Sequence, residues 1–390
     1  MLLVLTFALL GIIYAWATAS FPVLGRHRRL VAGVLLALWV SHIISFTLFR
    51  VEVLATLPRA LVDLAMLPLI FAAFPIALVR LVSWSFGRFG AAAKERPVTV
   101  GTLGGPVVGA PNGISRRQLV EAATGTAILG GTGAMLGWGM VRGRHAFVLR
   151  EIPVRIPGLP RALDGYVIAQ VSDIHAGPYV GDRELDEGLA LVRKAKPDLV
   201  VATGDLVDFD AAFAPKLARK LADLAPPDGV AAILGNHDYY ADSEEVSAAL
   251  EDAGVDLLVD EGRVLRPGDG GGFALLGVDD RWSTRYGRSG PRLERALAMV
   301  PRELPRVLLS HQPVTVDRWP GQVALQLSGH THGGQINPGF RPADLFLKYV
   351  AGSYAVGGTT LYVNSGFGTV GTPSRVGAPP EVTRVVLVAA

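Results

Sequence analysis

Five histidines carry the densest potential for chemistry in this 390-residue sequence: His175, His237, His311, His330 and His332. Each stands in a short polar string just after an apolar run. Asp173-Ile174-His175 follows a run ending at Val171. Gly204-Asp205-Leu206-Val207-Asp208 follows one ending near Ala202, and Gly235-Asn236-His237-Asp238 one ending at Leu234. Ser310-His311-Gln312 comes after Leu309, and Gly329-His330-Thr331-His332 comes after Leu327. The other three histidines, His27, His42 and His145, lie upstream of all these strings. A lone histidine is more often a surface or core residue than a ligand, but five of five at the ends of apolar runs is a pattern of a different kind. Strand ends in an α/β sheet are where ligands collect. Imidazole, carboxylate and amide oxygen are donors for divalent cations. The sequence has no cysteine, which excludes disulfides and thiolate metal sites.

Positioning these strings requires regular elements. Strands are expected over 165–171, 198–202 and 229–234, alternating with helices over 183–196, 213–224 and 243–253. A β-rich half follows, over 256–265, 272–278, 306–309, 323–327, 360–363 and 382–388. Alternation followed by a β-rich half implies a layered α/β domain with mixed sheets. No repeat of solenoid or propeller period is present.

The order Asp-x-His, Gly-Asp-x-x-Asp, Gly-Asn-His-Asp, a single His and Gly-His-x-His resembles the calcineurin-like metallophosphoesterase superfamily. The strings VSDIHAG, TGDLVD, GNHDYY, LLSHQP and SGHTHGGQ resemble its membrane-associated, YkuE-like bacterial branch. The resemblance spans residues 146–390 and implies a β-sandwich flanked by helices, with two divalent ions (Mn, Fe or Zn) bound by oxygen and nitrogen donors. It makes Asp205 the bridge. It assigns Asp173, His175 and His332 to one ion, and Asn236, His311 and His330 to the other. Two ions about 3.5–4 Å apart can activate a bridging hydroxide and hold the attacking and leaving oxygens of a phosphate ester. The resemblance makes His237 a catalytic non-ligand that binds phosphate or protonates the leaving oxygen; the alternative is a third ligand or a structural contact. Asp208 and Asp238 either orient histidines or cap loops. Gly333-Gly334-Gln335 either brings backbone to the phosphate or makes a tight turn. The 366–369 segment resembles the branch's closing loop. Ser365 stands where the branch often has Arg, and Arg375 is the candidate replacement for binding substrate.

The first 140 residues hold most of the apolar excess. A bilayer core needs ~20 apolar residues in a helix, and 2–20, 30–49, 61–84 and 119–140 qualify as an N-terminal bundle of about four transmembrane helices. The division expected is a transmembrane region over 1–85, a Gly/Pro-rich linker over 86–118, a fourth span over 119–141 and the catalytic domain over 146–390. Lys and Arg alternate between loops: Arg26, Arg28 and Arg29 after the first span, only Arg50 and Arg59 after the second, and five basic residues before the fourth. The positive-inside rule then places the basic loops in the cytoplasm and the catalytic domain outside. Ser115-Arg116-Arg117-Gln118-Leu119 resembles a twin-arginine export signal, or flanks a helix with positive charge; both give the same topology. A net charge of +3 gives no field for nucleic acid. The implied substrate is a phosphodiester or phosphomonoester of the cell envelope, such as a lipid-linked or nucleotide-sugar phosphate. A reading from another class is an inactive membrane scaffold or sensor, against which the complete ligand set argues. A zinc peptidase is excluded by the lack of His-Glu-x-x-His. The exposed-looking stretch Phe340 to Val350 is either a lipid-touching segment or a partly buried loop.

Overall fold

The computed structural model describes residues 2–48, 56–92, 115–268 and 271–390. It divides into two compact units, Met1–Gly137 and Trp138–Ala390.

The first unit is helical: α1 (Leu2–Ser20), α2 (Pro22–Arg26), α3 (Arg28–Leu48), α4 (Thr56–Ala92) and most of α5 (Arg116–Val141). Its small core gathers Ile13, Trp16, Ala17, Ala72, Ala73 and Ile76. Large apolar side chains such as Phe74, Leu78 and Leu81 point outward instead. Among the described residues two helices, over Ala65–Ser85 and Arg116–His145, are long and apolar enough to cross a membrane. Only 22% and 17% of their apolar windows are buried, which is unlike the core helix of a soluble domain. The apolar helix Leu5–Ser20 is shorter. Helix α4 continues through Ala92, so the segment expected as linker begins helical, and its stretch over 93–114 lies outside the described residues.

Among its described residues, the second unit contains twelve strands in two six-stranded sheets. They are β1 (Val148–Ile156), β2 (Val167–Val171), β3 (Leu199–Thr203), β4 (Val230–Ile233), β5 (Asp256–Leu257), β6 (Glu261–Leu265), β7 (Phe273–Gly277), β8 (Arg306–Leu309), β9 (Leu325–Ser328), β10 (Gly352–Val356), β11 (Thr359–Val363) and β12 (Glu381–Ala389). The helices are α6 (Asp182–Ala195), α7 (Ala214–Ala222), α8 (Asn236–Ala241), α9 (Ser243–Asp252) and α10 (Leu293–Ala298). The sheet orders are β1-β12-β2-β3-β4-β5 and β10-β11-β9-β8-β7-β6.

Strands β2, β3 and β4 run parallel, as do β7, β8 and β9. Alternation along β3 explains the layers. Leu199 and Val201 face the second sheet, where they meet Phe273, Leu275, Val307, Leu309, Leu325 and Leu327. Val200 and Ala202 face helices α6, α7 and α9. Both faces are covered, which is why these strands read as continuous apolar runs. Helix α6 shows the matching stripe, burying Leu185, Gly188, Leu189, Val192 and Ala195 at helical spacing. The expected α/β architecture of mixed sheets with flanking helices is the one observed.

Candidate metal centre

Sequence strings far apart in the chain meet at one place because parallel strands point the same way. Asp173 and His175 follow β2, Asp205 follows β3, Asn236 and His237 open α8 after β4, His311 follows β8, and His330 and His332 follow β9. Both sheets therefore deliver donors at their carboxyl ends.

The donors form two clusters. In the first, His332 Nε2 lies 3.1 Å from His175 Nε2 and 3.4 Å from Asp173 Oδ1. In the second, His330 Nδ1 lies 3.2 Å from His311 Nε2. One oxygen joins them: Asp205 Oδ2 is 3.6 Å from His175 Nε2 and 3.2 Å from His311 Nε2. Asn236 Oδ1 is buried and makes no hydrogen bond. A buried unpartnered oxygen is costly unless something occupies it, and an amide oxygen combined with imidazole and carboxylate donors suits a divalent cation such as Mn, Fe or Zn. The groups Asp173, His175 and His332, and Asp205, His311 and His330, each present their donor atoms within 4.8 Å of one another, as does a third group, His175, Asp208 and His237, which shares His175 with the first. These residues fit a divalent cation in each cluster.

The backbone marks the same residues independently. Ten described non-glycine residues have positive φ, and five of them are Asp173, His175, Asp205, His330 and His332. Such conformations cost roughly 1–3 kcal/mol each and persist where the surroundings enforce them, as at functional sites. Close packing adds a glycine requirement. A Cβ at Gly204, itself at φ 85°, would come within 2.8 Å of His311 Nδ1 and 2.7 Å of Gly235 N.

Comparison with known proteins agrees with this geometry. The calcineurin-like phosphoesterase family model matches residues 166–334. The metallophosphoesterase YkuE of Bacillus subtilis is 32% identical over 280 residues, which cover 69% of this chain and 96% of YkuE. The chain belongs to the calcineurin-like phosphoesterase family. A transmembrane protein with metallophosphoesterase domain from Danio rerio is 34% identical over 282 residues, 70% of this chain and 63% of that protein. Its counterpart from Bos taurus is 36% identical over 252 residues, 62% of this chain and 56% of that protein. The chain thus matches less than two thirds of the length of these two vertebrate relatives.

Within this site, electrostatics prepares the donors. Burial opposes ionisation of Asp205, but His311, His237 and His175 outweigh it and hold the carboxyl well below its ordinary range. Burial, reinforced by His311, lowers His330 to about 3, so its ring is neutral and has a lone pair to offer. His332 is likewise pushed well down by burial, His175 and Arg375. His311 Nδ1 sits 2.8 Å from the Thr203 carbonyl, which aims Nε2 at Asp205 Oδ2; burial opposes the charged ring, but Asp205 prevails and holds His311 well above its ordinary range.

His237 is arranged differently. Its backbone N–H donates to Asp205 Oδ1 at 2.7 Å, and its Nδ1 lies 3.0 Å from the Asp208 carbonyl and 3.1 Å from Asp208 Oδ1. Burial disfavours the charged ring, yet Asp205 and Asp208 prevail and raise it to about 9. Its ring stands beside Phe209 and Tyr240 at centroid distances of 4.8 and 4.9 Å. Asp208 also approaches His175 Nδ1 at 3.4 Å, so it faces both rings. Asp238 instead ties loops together, accepting from the N–H groups of Leu206, Val207 and Gly235. Gly333 and Gly334 lie in a tight turn closed by the Gly334 N–H on the Thr331 carbonyl.

Arg375 departs from the anion-binding expectation. It is 1% exposed. Its guanidinium donates to the carbonyls of Gly368, Ser365, Ala378 and Gly366 at 2.7–3.0 Å and packs 3.2 Å from His332 Nδ1. It pins the loop after β11 against a cluster histidine, and its donors face that loop instead of a substrate cleft.

Sequence reasoning missed Asp280. It follows β7, is 2% exposed and accepts from Gln312 Nε2 at 3.1 Å. Burial raises its carboxyl to about 6. The signal was present: Val278-Asp279-Asp280 occupies the same place after a strand as the histidine strings but has no histidine.

Proposed function

We propose that this protein hydrolyses a phosphodiester or phosphomonoester with two divalent ions, Mn, Fe or Zn, held side by side. The observation carrying the reading is the single Asp205 oxygen placed between two imidazole clusters. Asp173, His175 and His332 would hold one ion, and Asn236, His311 and His330 the other, with Asp205 shared. When bound, the ions supply an ionised water as nucleophile and neutralise charge on the phosphate oxygens. The protein's own work is to keep Asp205 ionised and His330 and His332 neutral. His237, held cationic between Asp205 and Asp208, binds the phosphate or gives its proton to the leaving oxygen.

We further propose a multi-pass membrane protein with its catalytic unit outside the cytoplasm, acting on a cell-envelope or lipid-linked phosphate. Two helices of spanning length, the alternation of basic loops and relatives named as transmembrane proteins support this. The purified full chain in detergent is expected to cleave chromogenic phosphodiesters or monoesters with added Mn²⁺ and to stop after chelation. No turnover with any divalent ion, together with no bound metal by elemental analysis, would sink the reading. A reporter fused after Ala390 is expected to be active only outside the cytoplasm.

A further inference from the structure

Exposed apolar surface on the unit Trp138–Ala390 is concentrated in one segment. Phe340, Leu345, Phe346 and Leu347 are 63%, 74%, 85% and 44% exposed. Single exposed apolar residues are ordinary, whereas a contiguous group marks a contact surface. The charges flanking it are already compensated: Arg341 Nε pairs with Asp344 at 2.8 Å, and Lys348 Nζ with Asp317 at 2.9 Å. The tip therefore presents hydrocarbon and rings with little net field.

Its place in the unit says what covers it. The Asn337 N–H donates to the Val376 carbonyl at 2.7 Å, and the neighbouring Arg375 N–H donates to the Gly139 carbonyl at 3.2 Å. Thus one hydrogen-bonded segment separates the base of the ridge from the last turn of α5. That turn carries Trp138 and Val141, 55% and 70% exposed, at the end of a helix of spanning length. Tryptophan at the end of an apolar helix is a membrane-interface residue. Phe340 and Arg341 also border a cleft of ≈540 Å³ that reaches Gly333, next in the chain to His332.

We propose that Phe340 and Leu345–Leu347 insert into the headgroup–acyl boundary of the bilayer that holds α5, the partner being lipid. The inference rests on the membrane reading above and is independent of hydrolysis. Burial of these side chains in the interface follows from their apolar area alone, so binding is insensitive to salt.

The natural absence of cysteine gives a direct test. Phe346→Cys, and separately Leu345→Cys, are labelled with an environment-sensitive fluorophore in the full chain. Each is placed at one copy per nanodisc of phosphatidylethanolamine and phosphatidylglycerol. The expected result is blue-shifted emission, quenched by lipids carrying a doxyl group near the headgroup end of the acyl chain and unchanged at high salt. A label at Met299→Cys, an exposed position on the same unit, keeps water-like emission. Water-like emission at both 345 and 346 overturns the proposal. So does a blue shift that doxyl lipid does not quench, which would put the ridge against protein, or a signal lost in salt, which would mean electrostatic adsorption. Co-purification of chain and disc reports anchoring separately, and turnover of a soluble ester on the same discs reports hydrolysis separately.

Discussion

The two donor clusters share an aspartate but are built unequally. The Asp173–His175–His332 cluster is sealed, with its three residues at most 3% exposed. It is backed on two sides, by Asp208 at His175 and by Arg375 at His332. The His311–His330 cluster is backed at His311 by the Thr203 carbonyl, and its His330 is only partly buried. The charges differ as well. The first cluster adds the carboxylate of Asp173 to the shared Asp205, while the second adds only the neutral amide of Asn236. In the two-cation reading proposed above, one half of the site would retain a cation and the other would keep one accessible to a substrate.

The shared residue gives the harshest test of that picture. Asp205→Asn is expected to empty both clusters and to lower activity by at least about a hundredfold, since loss of even an outer partner costs about 10–100-fold. Retention of one full metal equivalent would show that the clusters do not depend on a common bridge. His237→Ala comes next. It should cut kcat by about 10²–10⁴, the usual weight of a proton donor, while elemental analysis still finds two metals. Loss of one metal instead would move His237 into a cluster and erase the distinction between ligand and acid.

Much of this site is legible in the sequence alone. The polar strings carry their meaning because parallel strands place successive loops at one end, so sequence order translates into spatial convergence. The expected strand over 306–309 coincides with β8, and the helix expected over 243–253 is α9 with its end one residue earlier. What stayed hidden depends on neighbours distant in sequence. Strand β1 alternates only over Ile152 to Ile156; its first half sets the charged pair Arg150 and Glu151 side by side, which leaves too short a pattern to read as a strand. The run expected over 256–265 breaks into β5 and β6 around Asp260, whose left-handed backbone is fixed by contacts to Asp279 and Arg292. The left-handed backbone of five ligand candidates is likewise invisible, because no residue type at those positions demands it. Arg375 looked like a free cation because nothing local announces that four carbonyls enclose it.

That enclosure supports a sharper test of the sealed cluster. Arg375→Gln should weaken the first cation by about 10–100-fold, the range for residues behind a metal ligand, and leave the second nearly unchanged. Arg375→Lys keeps the charge but loses the planar fork that reaches several carbonyls at once, so it should fail to restore affinity. Restoration by Lys would mean that charge, and not the fork's geometry, is what His332 needs. Equal weakening of both cations would mean that the loop between β11 and β12 supports the whole site.

The smallest effect follows from the difference in charge. Under a graded weak chelator one metal equivalent should leave before the other, and the second cluster should empty first. Asn236→Asp tests the cause. The position opens α8, where the helix N-terminus favours negative charge, and the substitution supplies the second cluster with the carboxylate it lacks. The two release steps should then draw together by about tenfold or less, about 1.4 kcal/mol, because an added carboxylate must also be desolvated in a buried place. If the steps coincide already in the natural sequence, the clusters hold their cations alike, and the asymmetry in burial and backing has no consequence for binding. If the steps stay apart in Asn236→Asp, exposure of His330 and not ligand charge sets the order, and the comparison survives on that ground alone.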